Sequence, residues 1–368
     1  MKPQPLREFA EKTRVWESLN EDALTMSDTV EVSPEGKASY IEPGTMATLH
    51  GSVPISYQGL TQLNARLDGP PMRWTGDPDH CPPPLRGKLL TYLAKSRKPE
   101  SLLMREHDGT LRAVLSDDYT RFDHGQFIDL VTQAVESMGP QVNAQVFRAE
   151  IGDEMRAYVL LPEVTFGQLP GTDDGGHGNG GLHPGIYISN SEIGTGAART
   201  SGGLYRATCQ NGMIYGWSAG EIVRVRHLFI HQAALLAVIA SAVAAGFKMS
   251  ERAALAFIES QQIHMRPTGL EGLVEKWVTK YGLSVDRKAD WLTAISTETA
   301  TYGRPDDPRL FDVTNALTYI AREKDAAERE MMERAAGDLI GDLTPLLPFI
   351  DSGRSDALAR NTQDARVR

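Results

Sequence analysis

"SLLMREHDGTLRAVLSDDYT", residues 101 to 120, is two apolar runs of strand length on either side of Asp108-Gly109. That dipeptide tolerates the positive φ angles of a tight turn better than almost any other, so the stretch reads as a β-hairpin and brings an antiparallel sheet with it. The pattern recurs downstream. "NAQVFRAEIGDEMRAYVLLPE" gives two strands around Gly152-Asp153, and "IYISN" and "LYRATCQNGMIYG" give further ones. Between the hairpins, "HGQFIDLVTQAVESMG" reads as an amphipathic helix ending at Gly139; ahead of both, "YQGLTQLNARLDGPP" reads as a helix stopped by Gly69 and two prolines. Asp117, Asp118 and Asp123 are expected to turn the chain and cap the helix beginning near Gln126.

Outward from this region the character changes. Helical periodicity dominates from Glu221, over 221–264, 269–281, 286–298 and 311–342. Strands followed by helices imply an α+β fold: a hairpin-rich antiparallel sheet with helices on one face and a helical C-terminal portion. The expected division is a polar N-terminal arm over 1–56, an α+β core over 57–264, a helical region over 265–350 and a disordered tail over 351–368. The last long helix, with Leu317, Ile320, Ala327, Met331 and Leu339, is expected to pack within the chain, a second copy of the chain being the other partner that would suit it.

Composition narrows the function. Cys81 and Cys209 belong to no spaced cluster, so neither a disulfide framework nor a zinc site is indicated, and the start of the chain has no secretory core. A cytoplasmic protein is expected. The apolar stretch 233–247 is shorter than a span of about 20 residues, so it reads as a helix packed on all sides, with no membrane partner. The net charge of −10 argues against a wholly basic surface, but cations are concentrated locally. Residues 85–105 hold six against one acid, and residues 199–226 hold four arginines against one glutamate.

Three motifs invite chemistry. "GWSAG" at 216–220 has the nucleophile-elbow pattern, but no aspartate lies between Ser218 and His264, and His227 and His231 fall on the helix that the serine would start. A metal site would draw on Asp173, Asp174, His177 and His183 in a glycine loop, or on His227 and His231 at i, i+4; "HLFIH" lacks the glutamate of a zinc-peptidase helix. "GTGAAR" at 194–199 is neither a Walker loop nor a dinucleotide fingerprint, yet its small residues leave backbone N–H groups reachable beside Arg199 and Arg206.

"LLMREHDGTLRAVLSDDYTRFD", "ISNSEIGTGA", "LYRATCQNGMI", "RVRH" at 224–227 and "NALTYIAR" at 315–322 resemble the phage- and plasmid-associated family grouped as domain of unknown function 932, also described as UPF0380. The resemblance runs from about residue 58 to 340, and the Asn-Ser-Glu-x-Gly and Cys-x-Asn-Gly-Met stretches are its most specific parts. The glycine loop 171–183 departs from it as a local insertion. The resemblance implies a mobile-element setting and no particular reaction.

The expected function is therefore non-enzymatic binding of single-stranded DNA, assisting annealing or recombination, with no cofactor. Lys88, Lys95, Arg97 and Lys98 would neutralise phosphates, while Arg199, Arg206, Arg224 and Arg226 would line a groove with Tyr205 or Tyr215 as stacking platform. Asn190, Ser191, Glu192, Gly194, Cys209, Asn211 and Gly212 would hold the loop geometry. A metal-dependent hydrolase or nuclease using His227 and His231, and a host-interaction protein, stand as alternatives.

Overall fold

The computed structural model describes residues 3–43, 48–139, 142–162, 166–168, 181–206, 211–215, 223–225 and 232–355. Of the stretch 1–56, expected as a polar arm, residues 4–43 and 48–54 are built into the fold: β1 (Gln4–Pro5), α1 (Leu6–Glu17), β2 (Asn20–Met26), β3 (Glu31–Val32), β4 (Lys37–Glu42) and β5 (Thr48–Pro54). Leu6, Phe9 and Ala10 on α1, and Ala23, Val32, Ala38 and Tyr40 on the strands, are buried. Pro34 and Gly36, which made the region look irregular, lie in the turn between β3 and β4.

Next come α2 (Tyr57–Arg66), α3 (Met72–Thr75), α4 (Pro83–Ser96) and the expected hairpin of β6 (Ser101–His107) and β7 (Thr110–Ser116). Asp108 and Gly109 take φ of 47° and 68° in its turn. Among the described residues, β2-β6-β7 and β3-β4-β5 are two three-stranded antiparallel sheets.

The large sheet follows α5 (His124–Glu136). It contains β1, β8 (Gln145–Glu150), β9 (Glu154–Leu160), β10 (Phe166–Gln168), β11 (Gly181–Ser191), β12 (Ala198–Arg206), β13 (Asn211–Tyr215) and β14 (Val223–Val225), in the order β1-β8-β9-β11-β12-β13 with β10 on β11 and β14 on β12. All its pairs are antiparallel. The helical portion is α6 (Gln232–Glu259), α7 (Leu270–Tyr281), α8 (Asp286–Thr301), α9 (Leu310–Ala321) and α10 (Ala326–Gly341).

The two faces of the large sheet differ. Met155, Ala157, Val159, Ile186, Ile188 and Ala198 share a core with α1, α5 and the first half of α6. The alternate residues of β9 meet α10 instead: Arg156 Nε donates to Glu330 Oε2 at 2.8 Å, and the Tyr158 hydroxyl donates to Glu333 Oε2 at 2.7 Å. The α+β architecture with a helical C-terminal part is thus present, and α10 supplies cover on the second face.

Three expectations change. Residues 223–225 are strand rather than helix, because β-branched Val223 and Val225 flank Arg224 along an edge of β12. The expected helix 311–342 is two, since Asp325 accepts from Ala327 N and Glu328 N and so starts α10 afresh. The α6 helix is not enclosed all round: Leu236, Val238 and Leu255 are exposed. No helix among the described residues is long and apolar enough to cross a membrane.

The small residues of "TSGG" have a packing reason. A Cβ on Gly202 would sit 2.7 Å from Met249 Cβ and 3.2 Å from Gly246 O, so α6 approaches β12 closely only because both faces are bare.

Candidate functional site

The loop from Ser191 to Ala198, between β11 and β12, is fixed on one side by a buried ionic network. Glu192, one of the residues expected to hold the loop geometry, is fully buried. Its Oε1 accepts from His124 N at 2.7 Å, capping α5, and its Oε2 accepts from Arg112 Nη2 at 2.7 Å and Asn20 Nδ2 at 3.2 Å. Its carbonyl accepts from Arg105 Nη1 at 2.7 Å. Burial pushes the Glu192 carboxyl up, but the attraction of His124 and then of Arg112, with the hydrogen bonds from both, outweighs it and holds it below the usual carboxylate range.

Asp123 stands at the cap position of α5, yet its side chain pairs with Arg105 instead of capping, and the helix begins at His124 rather than near Gln126. Arg105 also grips Asp22 through two bonds, at 2.9 and 3.0 Å. His124 Nε2 donates to Gly152 O at 2.8 Å, so its Nδ1 accepts from Asn190 Nδ2 at 3.1 Å. Burial lowers the affinity of this ring for a second proton, consistent with a neutral imidazole. The network ties the sheet of β2, β6 and β7 to β9 and β11.

The loop's other side opens onto a cavity of about 230 Å³. Ser191 Oγ meets Thr195 Oγ1 at 2.8 Å and accepts from Thr195 N at 3.2 Å, while the Thr195 hydroxyl donates to Glu154 at 2.5 Å. Gly194 takes φ +74°, and a Cβ there would lie 2.8 Å from Leu115, which leaves glycine as the residue that fits. Gly196, Ala197, Arg156, Arg199, Glu330 and Arg334 complete much of the lining.

Register assembles the cations. Arg156 pairs with Ser189, Ser189 with Arg199, and Arg199 with Arg224, so three arginines stand in one row across β9, β11, β12 and β14. Arg334 reaches the same place from α10, where Glu330 bridges it and Arg156. Burial lowers the Arg199 pKa, with Arg224 and Arg156 adding repulsion. Burial, then the charges of Arg199, Arg156 and Arg224, push Arg334 down to about 9, which still leaves it cationic at neutral pH. Arginines that destabilise one another's charge make a site that favours an added anion.

The other expected residues fall elsewhere. Lys88 and Lys95 lie on α4 and Arg97 and Lys98 just beyond it; α4 packs on β3, away from the large sheet's elements. Lys95 pairs with Glu31 and Arg97 with Asp68. Arg105, part of the basic run, has no exposed surface. Arg206 pairs in register with Asn211, and Tyr205 with Gly212, seven and six residues along β12 from Arg199, roughly 20 Å away at strand rise. Tyr215 pairs with Gly202. Side chains of Tyr205, Arg206, Asn211 and Tyr215, and the whole of Cys209, Arg226, His227, His231, Ser218, Asp173, Asp174 and His177, lie outside the described residues. His183 is buried on β11. Among the described residues no three His, Cys, Asp or Glu are grouped to hold a metal ion.

Sequence reasoning missed Arg156, Arg334 and Glu330. The available signals were an arginine interrupting the apolar run "MRAYVL", and Ala327, Glu330 and Arg334 recurring on one helical face.

A family model described as Domain of unknown function (DUF932) matches residues 111–318, more than half of the chain. That span includes the Glu192 network's Arg112 and His124, the loop 191–198 and the row Arg156, Arg199 and Arg224. No curated protein matches, and no solved structure matches.

Proposed function

The chain belongs to the DUF932 family, and on that premise we propose that it binds single-stranded DNA by its phosphates, through the row Arg156, Arg199 and Arg224. The observation that carries the reading is the register that places these three arginines in one row across β9, β11, β12 and β14, with Ser189 between Arg156 and Arg199. Three inter-strand steps span roughly 14 Å, room for several consecutive phosphates. The row runs from exposed Arg224 to half-buried Arg199 beneath α10, a depth that a flexible single strand can follow and a stiff duplex cannot. Phosphate contacts of this kind position a strand without reading its bases, so the binding is indifferent to sequence.

This reading drops the segment 88–98 from the binding surface. The decisive experiment is fluorescence anisotropy with a labelled single-stranded oligonucleotide and its duplex. Arg199→Ala with Arg224→Ala weakens single-strand binding for every sequence, and Lys88→Ala with Lys98→Ala leaves it nearly unchanged. The reverse pattern, or a preference for duplex, overturns the proposal.

A further inference from the structure

We infer that the cavity at the Arg156–Arg199 end of the arginine row is a seat for a single phosphate monoester, the terminal phosphate of a strand or a nucleotide, held between the loop at Thr195–Ala197 and Arg334 of α10. This rests on the strand-binding reading for its biological ligand, while the seat itself is defined by the size, charge and shape of the cavity.

Size decides first. At about 230 Å³ the cavity is smaller than the 300–1,000 Å³ of sites that enclose drug-sized ligands, so it accepts a compact group and leaves the rest of the molecule outside. Charge decides second. Arg156, Arg199 and Arg334 line it against Glu154 and Glu330, and Arg224 adds a fourth cation next to Arg199. An internal phosphodiester carries one negative charge, whereas a monoester carries up to two at neutral pH and presents three strong acceptor oxygens. The excess of positive charge therefore favours the monoester, and guanidinium forks suit its oxygens.

Shape decides third. Gly196 forms part of the wall, and a Cβ placed on it would come 3.8 Å from Arg199 Nη2 and 3.7 Å from Ser191 Cβ. The glycine thus keeps the approach to the guanidinium open, and its substitution meets only ordinary contacts within the fold. The buried network at Glu192 and Asn190 anchors the same loop from behind, so the seat is held rigid before anything binds.

The test compares 5′-phosphorylated, 3′-phosphorylated and unphosphorylated oligonucleotides of one sequence, together with dAMP against deoxyadenosine, by calorimetry on the full chain. A phosphate at one end, and on the mononucleotide, tightens binding about tenfold or more, the worth of one or two charge-assisted hydrogen bonds. Arg334→Met and Gly196→Val each abolish that gain, one by removing charge and the other by filling the opening; their thermal melts verify folding. A gain on dAMP with no binding of any oligonucleotide supports the seat and overturns the strand-binding reading. Equal affinity within every pair, or a gain that survives both substitutions, overturns the seat whatever the strand does.

Discussion

Replacing Glu192 by alanine removes the acceptor on which three donors converge: Arg112 Nη2, His124 N and Asn20 Nδ2. Asn20 is half-buried and can turn to water, but Arg112 and His124 cannot, because Glu192 and His124 have no exposed side-chain surface and Arg112 has 2%. Arg112 keeps only a 3.3 Å contact with Asp153, which is 40% exposed. Breaking a buried pair from one side typically costs about 3–5 kcal/mol, since the remaining charge stays desolvated. For a chain of this size, with a urea slope of roughly 3–4 kcal/mol/M, the unfolding midpoint falls by about 1 M. Trp16 stacks on His107 at 3.8 Å beside this network, so its fluorescence reports the local loss, while Trp277 and Trp291, buried in the C-terminal core, report the global one. Glu192→Gln retains the acceptor oxygen and costs less, about 1–2 kcal/mol. A midpoint for Glu192→Ala within about 0.2 M of wild type, roughly 0.7 kcal/mol on the same slope, would refute the reasoning that this network holds the loop.

Two further outcomes follow from the same structure. Glu17 is pushed up to about 7 by burial and by the charges of Asp123 and Glu192, so the folded state holds its proton longer than the unfolded one. Stability from this group is complete below about pH 4.5 and is lost as pH rises through 7; Glu17→Gln flattens the urea midpoint between pH 5 and 8 relative to wild type, and parallel profiles would contradict it. Gly202→Ala pushes a methyl to 2.7 Å from Met249 Cβ and lowers stability by about 1–3 kcal/mol in the same assay, whereas a neutral effect would show that α6 can step back from β12.

The hairpin at 101–116 was legible because Asp108-Gly109 is a local signal, and the α+β class followed from where such signals stop. Short elements were not: three residues of β14 gain their identity from the edge of β12, and nothing local distinguishes them from the first turn of α6. The split between α9 and α10 was marked by Asp325 with Glu328 three residues on, a cap signature overlooked inside a long helical pattern. Arg105 was counted with the cations of 85–105, yet it is buried because its carboxylate partners Asp22 and Asp123 arrive from distant segments. Arg112, which no local signal singled out, meets Glu192 in the same way. The same limit hid the cavity. Arg199 and Arg224 stood out as local charge, but Arg156 and Arg334 join them only through strand register and the docking of α10.

The salt dependence of single-stranded DNA binding tests the central claim most directly. Each phosphate contact on a single strand contributes about 0.7 to the slope of log affinity against log salt. Wild type should therefore weaken steeply as salt rises, and Arg199→Ala with Arg224→Ala should make the slope shallower by about 1.4. A double variant with the wild-type slope and affinity would contradict the account.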